Sequence, residues 1–255
     1  MGRPLPQYSF QFKRFSVAQN HCGMKVGTDG ILLGALTTVH QPRRILDIGT
    51  GTGLVALMLA QRTEHCSARI CGVEIDPLAA AQAGDNFAAA PWSQRLNVAH
   101  QCIANYAQDF SHPPLDLIAC NPPYFFGTPP RQEPRRWSRH ATALQPEQLL
   151  RSVAALLDTR GHFAVILPAA ASQPLINKAT GFGFALRTVV EISPFPAMPP
   201  KRCFLEFGRQ SEYPATSLEY RSLVIEHRHH HYTSDFRRLT EHFYLDRTFV
   251  AKPQP

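Results

Sequence analysis

The sequence predicts an α/β fold built on a Rossmann-like, doubly wound sheet of seven strands, and three observations carry that expectation. Short apolar runs that read as buried strands alternate with longer helical patterns. The first run, Arg44–Ile48, opens into a glycine-rich turn, Asp47-Ile48-Gly49-Thr50-Gly51-Thr52-Gly53. A carboxylate, Glu74, lies near the end of the second run, 21 residues beyond Gly53, which is the arrangement by which such sheets hold a ribose.

Taken in order, residues 1–20 read as a loose basic N-terminal arm. Thr28 or Asp29 would cap a helix entering Ile31-Leu32-Leu33-Gly34. The strands expected are Arg44–Ile48, Ile70–Ile75, Leu96–Ala99, Leu115–Cys120, His162–Leu167, Phe184–Ile192 and Arg202–Phe207. The helices expected between them are Leu54–Gln61, Pro77–Ala89, Pro146–Leu157 and Ala171–Thr180. Leu223-Val224-Ile225 reads as one further short strand. Ser234-Asp235 then starts a C-terminal helix whose Phe236, Leu239, Phe243 and Tyr244 form one apolar stripe, with Arg237 and Arg238 outside. No long polar linker interrupts the 255 residues, so a single domain over 1–255 is expected.

Composition narrows the class. At 44% hydrophobic and 18% charged the chain has a globular balance, and its apolar stretches fall short of the ~20 residues that span a bilayer. The N-terminus has no signal-peptide pattern, and the six cysteines are scattered without a CxxC, as expected of reduced thiols in a cytoplasmic protein. A formal charge of +7 favours a polyanionic partner. It concentrates in a loop over 125–140, where Arg131, Arg135, Arg136 and Arg139 surround Trp137. It returns in Arg228-His229-His230-His231-Tyr232 and in Arg237-Arg238. Arginines beside a tryptophan suit phosphate contact with base stacking, whereas a solvated basic loop is the plainer account. Adjacent histidines cannot all face one ion, so the histidine run reads as a solvated turn and no metal site is expected. The sequence leaves the oligomeric state open, with a monomer as the starting expectation.

The chemistry is legible at Asn121-Pro122-Pro123-Tyr124, which follows the fourth strand where α/β enzymes gather ligands. The Asn121 side-chain oxygen and the Pro122 carbonyl can each accept a hydrogen bond from one N–H of a planar amine. That pulls the nitrogen lone pair out of conjugation as it attacks. The prolines stiffen the backbone, and Tyr124 offers a ring face to a base lifted from its stack. A proline-rich turn closing a strand is the bland alternative.

The first turn reads G-x-G-x-G, without the G-x-G-x-x-G spacing that seats a pyrophosphate. S-adenosylmethionine has no phosphate and carries a cationic sulfonium, so Asp47 at the strand end suits it better than a dinucleotide. Turn capping is the other reading of Asp47. Lys25 and Thr28 either belong to a helix cap or serve a helix mouth facing the methionine end of the cofactor.

Together, Phe12-Lys13-Arg14-Phe15, the stretch Lys25-Val26-Gly27-Thr28-Asp29-Gly30-Ile31-Leu32-Leu33-Gly34, the Asp47–Gly53 turn, Glu74 and Asn121–Tyr124 resemble the bacterial tRNA1(Val) adenine methyltransferases, the YfiC family. The resemblance runs through nearly the whole chain. It implies a class I S-adenosylmethionine-dependent methyltransferase fold and transfer of a methyl group to the exocyclic amine of adenosine 37, beside the anticodon of a valine tRNA. By it, Asp47, Gly49, Gly51 and Glu74 hold the cofactor, Asn121, Pro122 and Tyr124 hold the base, and Arg139-His140 matches a further stretch. One position departs: where the family has an acidic residue at the end of the third strand, this chain has Gln101-Cys102-Ile103, and a thiol is a poor acceptor. Asp109 stands near enough in sequence to substitute.

Other readings share the motifs. Release-factor methyltransferases carry the same tetrapeptide and act on a glutamine amide, but the basic loop disfavours that acceptor. DNA adenine methylation would call for a target-recognition domain that is not visible. A non-catalytic RNA-binding module on the same scaffold predicts damage at the glycine turn or the corner, and both are intact.

Overall fold

The computed structural model describes residues 9–22, 25–122, 144–212 and 218–249. The chain begins with a hairpin, β1 (Ser9–Gln11) and β2 (Ser16–Ala18), followed by α1 (Thr28–Leu36). Strand and helix then alternate through β3 (Arg44–Ile48), α2 (Leu54–Arg62), β4 (Arg69–Glu74), α3 (Pro77–Ala89), β5 (Leu96–His100), α4 (Ile103–Asp109) and β6 (Leu115–Cys120). After residue 143 come α5 (Pro146–Leu156), β7 (Leu157–Pro168), α6 (Ala169–Gly181), β8 (Phe184–Ser193), β9 (Arg202–Arg209) and β10 (Glu219–Val224). A small hairpin, β11 (Glu226–Arg228) with β12 (His231–Tyr232), precedes α7 (Ser234–Thr240).

The main sheet has the order β10-β8-β9-β7-β6-β3-β4-β5. Its strands run parallel except β9, which pairs antiparallel with both β7 and β8. The seven expected strands are all present, and β10 adds an eighth beside β8, in register from Glu219↔Thr188 to Val224↔Ser193. Alternation along the central strands sends side chains to two cores. Ile45, Leu117, Ala164 and Phe204 meet α1 and α2 on one face, while Leu46, Ile118, Phe163 and Phe207 meet α5 and α6 on the other.

Local chemistry sets the helix boundaries. At α3 the Asp76 carboxylate accepts from the Leu78 and Ala79 N–H groups, both at 2.9 Å, and Pro77 sits where a missing N–H costs nothing. At α7 Thr233 does the capping, one residue before the expected start, by accepting from Phe236 N–H at 3.2 Å. The apolar stripe is there, with Phe236, Phe243 and Tyr244 buried, although the helix itself stops at Thr240.

Two expectations need correction. Gly27, rather than Thr28 or Asp29, stands at the N-cap of α1 and provides no side-chain cap. The Asp29 carboxylate is drawn instead to the Arg202 guanidinium, at 2.9 and 3.0 Å, because β9 brings that charge alongside. Residues 9–18 of the supposed loose arm are a packed hairpin. Phe12, Phe15 and Val17 are buried, Phe12 stacks between Phe15 and Tyr244, and Lys13 N–H donates to the Phe243 carbonyl at 2.8 Å. The basic residues of this segment had masked its aromatic content.

None of the six cysteines is joined in a disulfide. Among the described residues, no helix is long and apolar enough to cross a membrane.

Candidate active site

Strand order β6-β3-β4-β5 sets four strand ends side by side at the C-terminal edge of the sheet, about 4.8 Å apart. Asn121 follows β6, Gly49 follows β3, Glu74 ends β4, and Cys102 comes just after β5. Residues far apart in sequence thus become neighbours along one rim.

The glycine turn takes its shape from backbone that other residues avoid. Gly49, Gly51 and Gly53 all have positive φ, at 67°, 55° and 83°. Their surroundings differ in a telling way. A Cβ on Gly53 would lie 2.4 Å from the Phe87 ring, so that glycine serves packing against α3. A Cβ on Gly49 would meet nothing within 4 Å. The backbone there borders open space, as a cradle for a ligand must.

Asp47 and Glu74 flank the turn. Both hydrogen bonds to Asp47 fall on Oδ2, from Thr50 Oγ1 at 2.6 Å and from the Ala56 N–H at 3.2 Å. Asp47 thus braces its own turn and the start of α2, with the residue only 1% exposed. Burial pushes its carboxyl up to about 7; the bonds from Thr50 and Ala56 pull the other way, and the charge of Glu74 adds to the rise. For a carboxyl raised in the folded state, the neutral form contributes stability that is fully present below the ordinary carboxylate range near pH 4. That stability is lost as pH rises through about 7, and it amounts to at most about 4 kcal/mol. Urea unfolding of the ligand-free protein from pH 4 to pH 8 is expected to show this decline, and Asp47→Asn to remove that component of the slope.

Glu74 is half-buried and oriented by backbone. Its Oε2 accepts from Gly51 N–H at 2.9 Å, and its Oε1 accepts from Ile75 N–H at 2.9 Å and Asp76 N–H at 3.0 Å. The carboxylate is thereby fixed between turn and helix. Ile75 beside it is 49% exposed, an apolar side chain on the cofactor rim.

Asn121 is half-buried and Pro122 buried, immediately after Cys120 at 0% exposure. Register places Cys120 opposite Ile48, so the Asn-Pro corner and the glycine turn leave adjacent strands at the same level. Tyr124, Arg131, Arg135, Arg136, Trp137 and Arg139 lie outside the described residues.

The comparisons with known proteins address this geometry. A model of the family described as "Methyltransferase small domain" matches residues 20–170. A tRNA1(Val) (adenine(37)-N6)-methyltransferase of Bacteroides fragilis is 41% identical over 244 residues, covering 94% of this chain and 99% of the relative. The chain belongs to the tRNA1(Val) (adenine(37)-N6)-methyltransferase family. Members from Trichodesmium erythraeum and Erwinia tasmaniensis are 38% and 41% identical, covering 92% and 93% of this chain and 97% and 95% of their own. Among solved structures, an Agrobacterium tumefaciens protein described as a predicted O-methyltransferase shares the fold, with a TM-score of 0.63 and 21% identity over 88% of this chain and 98% of that one. TrmN of Thermus thermophilus shares it too, with a TM-score of 0.52 and 21% identity over 71% of this chain and 48% of that one. The protein is an S-adenosylmethionine-dependent methyltransferase of class I fold, and its open cradle at Gly49 with two carboxylates beside it fits that cofactor.

The other residues expected at the cofactor of this methyltransferase divide. Lys25 and Thr28 are exposed, before and at the start of α1, whose Gly30 lies against Leu54, the first residue of α2. Cys102 stands at the N-terminal boundary of α4, next to Glu74, whose carbonyl accepts from Gln101 N–H at 3.0 Å. Asp109 is the last residue of α4, about 9 Å farther along the helix axis. That corrects the idea that Asp109 replaces the family's acidic residue: a helix, unforeseen in the sequence, carries it away from the rim.

One residue of the site escaped the sequence reading. Asn86, 4% exposed on α3, donates through Nδ2 to the Thr52 carbonyl at 2.8 Å and the Ala18 carbonyl at 2.9 Å, and its Oδ1 accepts from Ala18 N–H at 2.9 Å. It ties the glycine turn to the N-terminal hairpin. A lone Asn in an alanine-rich helix gives no signal of such reach.

Proposed function

We propose that this methyltransferase modifies the exocyclic amine of adenosine 37 in the anticodon loop of a valine tRNA. The observation that carries the reading is the adjacency of an intact Asn121-Pro122 corner and an intact glycine turn, on a chain related over nearly its whole length to enzymes of that name.

S-adenosylmethionine, when bound, supplies a methyl group made electrophilic by its sulfonium. Glu74 would take the ribose hydroxyls, Gly49 and Gly51 would let the backbone approach, Cys102 would border the adenine, and Lys25 and Thr28 would face the methionine end. Asp47, whose charged form burial disfavours, would be favoured in that form by a cation beside it. Asn121 and Pro122 would accept the two N–H groups of the target amine, and both acceptors are uncharged. The nitrogen therefore keeps its protons until the new C–N bond has placed positive charge on it, and then releases one to water. Tyr124 would stack on the displaced adenine.

Nucleoside mass spectrometry of valine tRNA from a strain lacking this protein tests the assignment. N6-methyladenosine at position 37 is expected to vanish and to return with the wild-type chain. Its persistence would remove the assignment.

The basic loop makes a separate prediction. If Arg135 and Arg136 neutralise phosphates, the double alanine variant flattens the salt dependence of tRNA binding by about one unit of slope per lost contact, with cofactor affinity unchanged. Filter binding across a salt series measures this, and superimposable slopes would place the loop outside the RNA site. Arg237 is the weaker candidate. Its guanidinium lies 5.8 Å over the Phe249 ring and donates to the Phe249 carbonyl at 3.3 Å.

A further inference from the structure

The C-terminal edge of the sheet divides into two halves. The cofactor elements occupy the ends of β3, β4 and β5, so a macromolecular substrate reaching Asn121 must lie over the ends of β7, β9, β8 and β10. Two structures rise from that half. One is the loop Pro194-Phe195-Pro196-Ala197-Met198-Pro199-Pro200-Lys201 between β8 and β9. The other is the β11–β12 hairpin, which continues from β10 past the rim. The two are bonded to each other: Ile225 N–H donates to the Ser193 carbonyl and Glu226 N–H to the Pro194 carbonyl, both at 3.0 Å.

The loop is built to be rigid. Four of its eight residues are proline, with φ fixed. Lys201 N–H donates to the Ile192 carbonyl at 2.9 Å, and the Lys201 carbonyl accepts from Ala169 N–H at 3.2 Å and from the Arg202 guanidinium at 3.0 Å. Ala197 is held at φ 60°, a left-handed conformation that a residue with a Cβ rarely adopts. The result is that Met198, at the tip, is turned outward and 40% exposed. β9 is two strands from β6, so this tip stands about 10 Å along the rim from the Asn121 corner.

The surroundings of Met198 select its partner. Lys201 in the same loop and His227, Arg228, His229 and His230 on the hairpin bonded to that loop are all exposed, while Glu226 is half-buried and its carboxylate accepts from His230 N–H at 3.2 Å. One large apolar side chain inside a basic rim is too small a patch for a membrane or a protein core. It matches RNA, whose phosphates meet the cations while a base face meets the thioether.

We infer that Met198 is an apolar wedge for the RNA substrate. Resting on the adenosine assignment above, it enters a base step beside the target nucleotide and holds the stack open while the adenine turns out to Asn121. The β11–β12 hairpin grips the phosphates behind it. Turning a base out costs its stacking, and a rigid wedge that occupies the gap offsets that cost.

The test uses the full-length enzyme and a valine tRNA anticodon stem-loop, once with adenosine at position 37 and once with fluorescent 2-aminopurine there. Wild-type protein is expected to methylate the first and to brighten the second as the base leaves its stack. Met198→Ser is expected to lower kcat/KM by about 10- to 100-fold, the scale of one lost base contact, and to blunt the fluorescence rise. Its S-adenosylmethionine affinity and the salt slope of RNA binding should match wild type, and Met198→Leu should restore both lost signals. Equal kcat/KM and equal brightening in Met198→Ser would overturn the wedge while leaving the adenosine assignment standing. Failure of the wild-type enzyme to methylate position 37 would bring down the assignment, and the wedge with it.

Discussion

Asn121→Ala is expected to lower turnover by about two to four orders of magnitude while S-adenosylmethionine binding persists. The amine of adenine attacks poorly because its lone pair is spread into the ring. Two acceptors, one from the Asn121 side chain and one from the Pro122 carbonyl, favour the tetrahedral nitrogen that forms as the lone pair is committed. They act more strongly on the transition state than on the ground state, which makes their loss a loss of rate. The size follows from the cost of removing one preorganised group from an oxyanion hole. The cofactor side should be untouched, because Asn121 leaves β6 whereas Glu74 ends β4, with β3 between them. Single-turnover assays with titrated cofactor separate the two quantities. A variant within tenfold of wild type would end this role for Asn121.

Glu74→Ala is expected to weaken S-adenosylmethionine binding by roughly 1.5–3 kcal/mol, since a ribose would lose a charged acceptor for two hydroxyls. The geometry sharpens the expectation. The same carboxylate receives N–H groups from Gly51, Ile75 and Asp76, so alanine leaves the turn and the entrance to α3 without their common acceptor. Glu74→Gln keeps two of the acceptor sites and should fall between the two. Titration calorimetry decides the matter, and unchanged affinity in Glu74→Ala would place the ribose elsewhere.

Much of this site was legible in the sequence because its signals are short-range. The strand Arg44–Ile48 and the turn after it can be read from neighbouring residues, and so can the strand before Asn121. Both strands appear at the expected bounds. What escaped depends on contacts between distant residues. Asn86 acts on Ala18, 68 positions away. Asp109 looked close to Cys102 in sequence, and only the weakly patterned helix between them shows otherwise. Asp29 had the composition of a helix cap, but the charge of Arg202, 173 positions away, outweighed that local preference.

The N-terminal hairpin has a consequence for how the enzyme comes into being. Its strands precede their partners by long stretches of chain: Ala18 must wait for Asn86, and Phe12 and Lys13 must wait for Tyr244 and Phe243. Because Asn86 also holds Thr52, the turn that faces the cofactor is braced through a hairpin whose own packing needs residues 243 and 244. A chain that has not yet reached Tyr244 therefore carries every residue of the glycine turn without the finished packing of the hairpin that braces it.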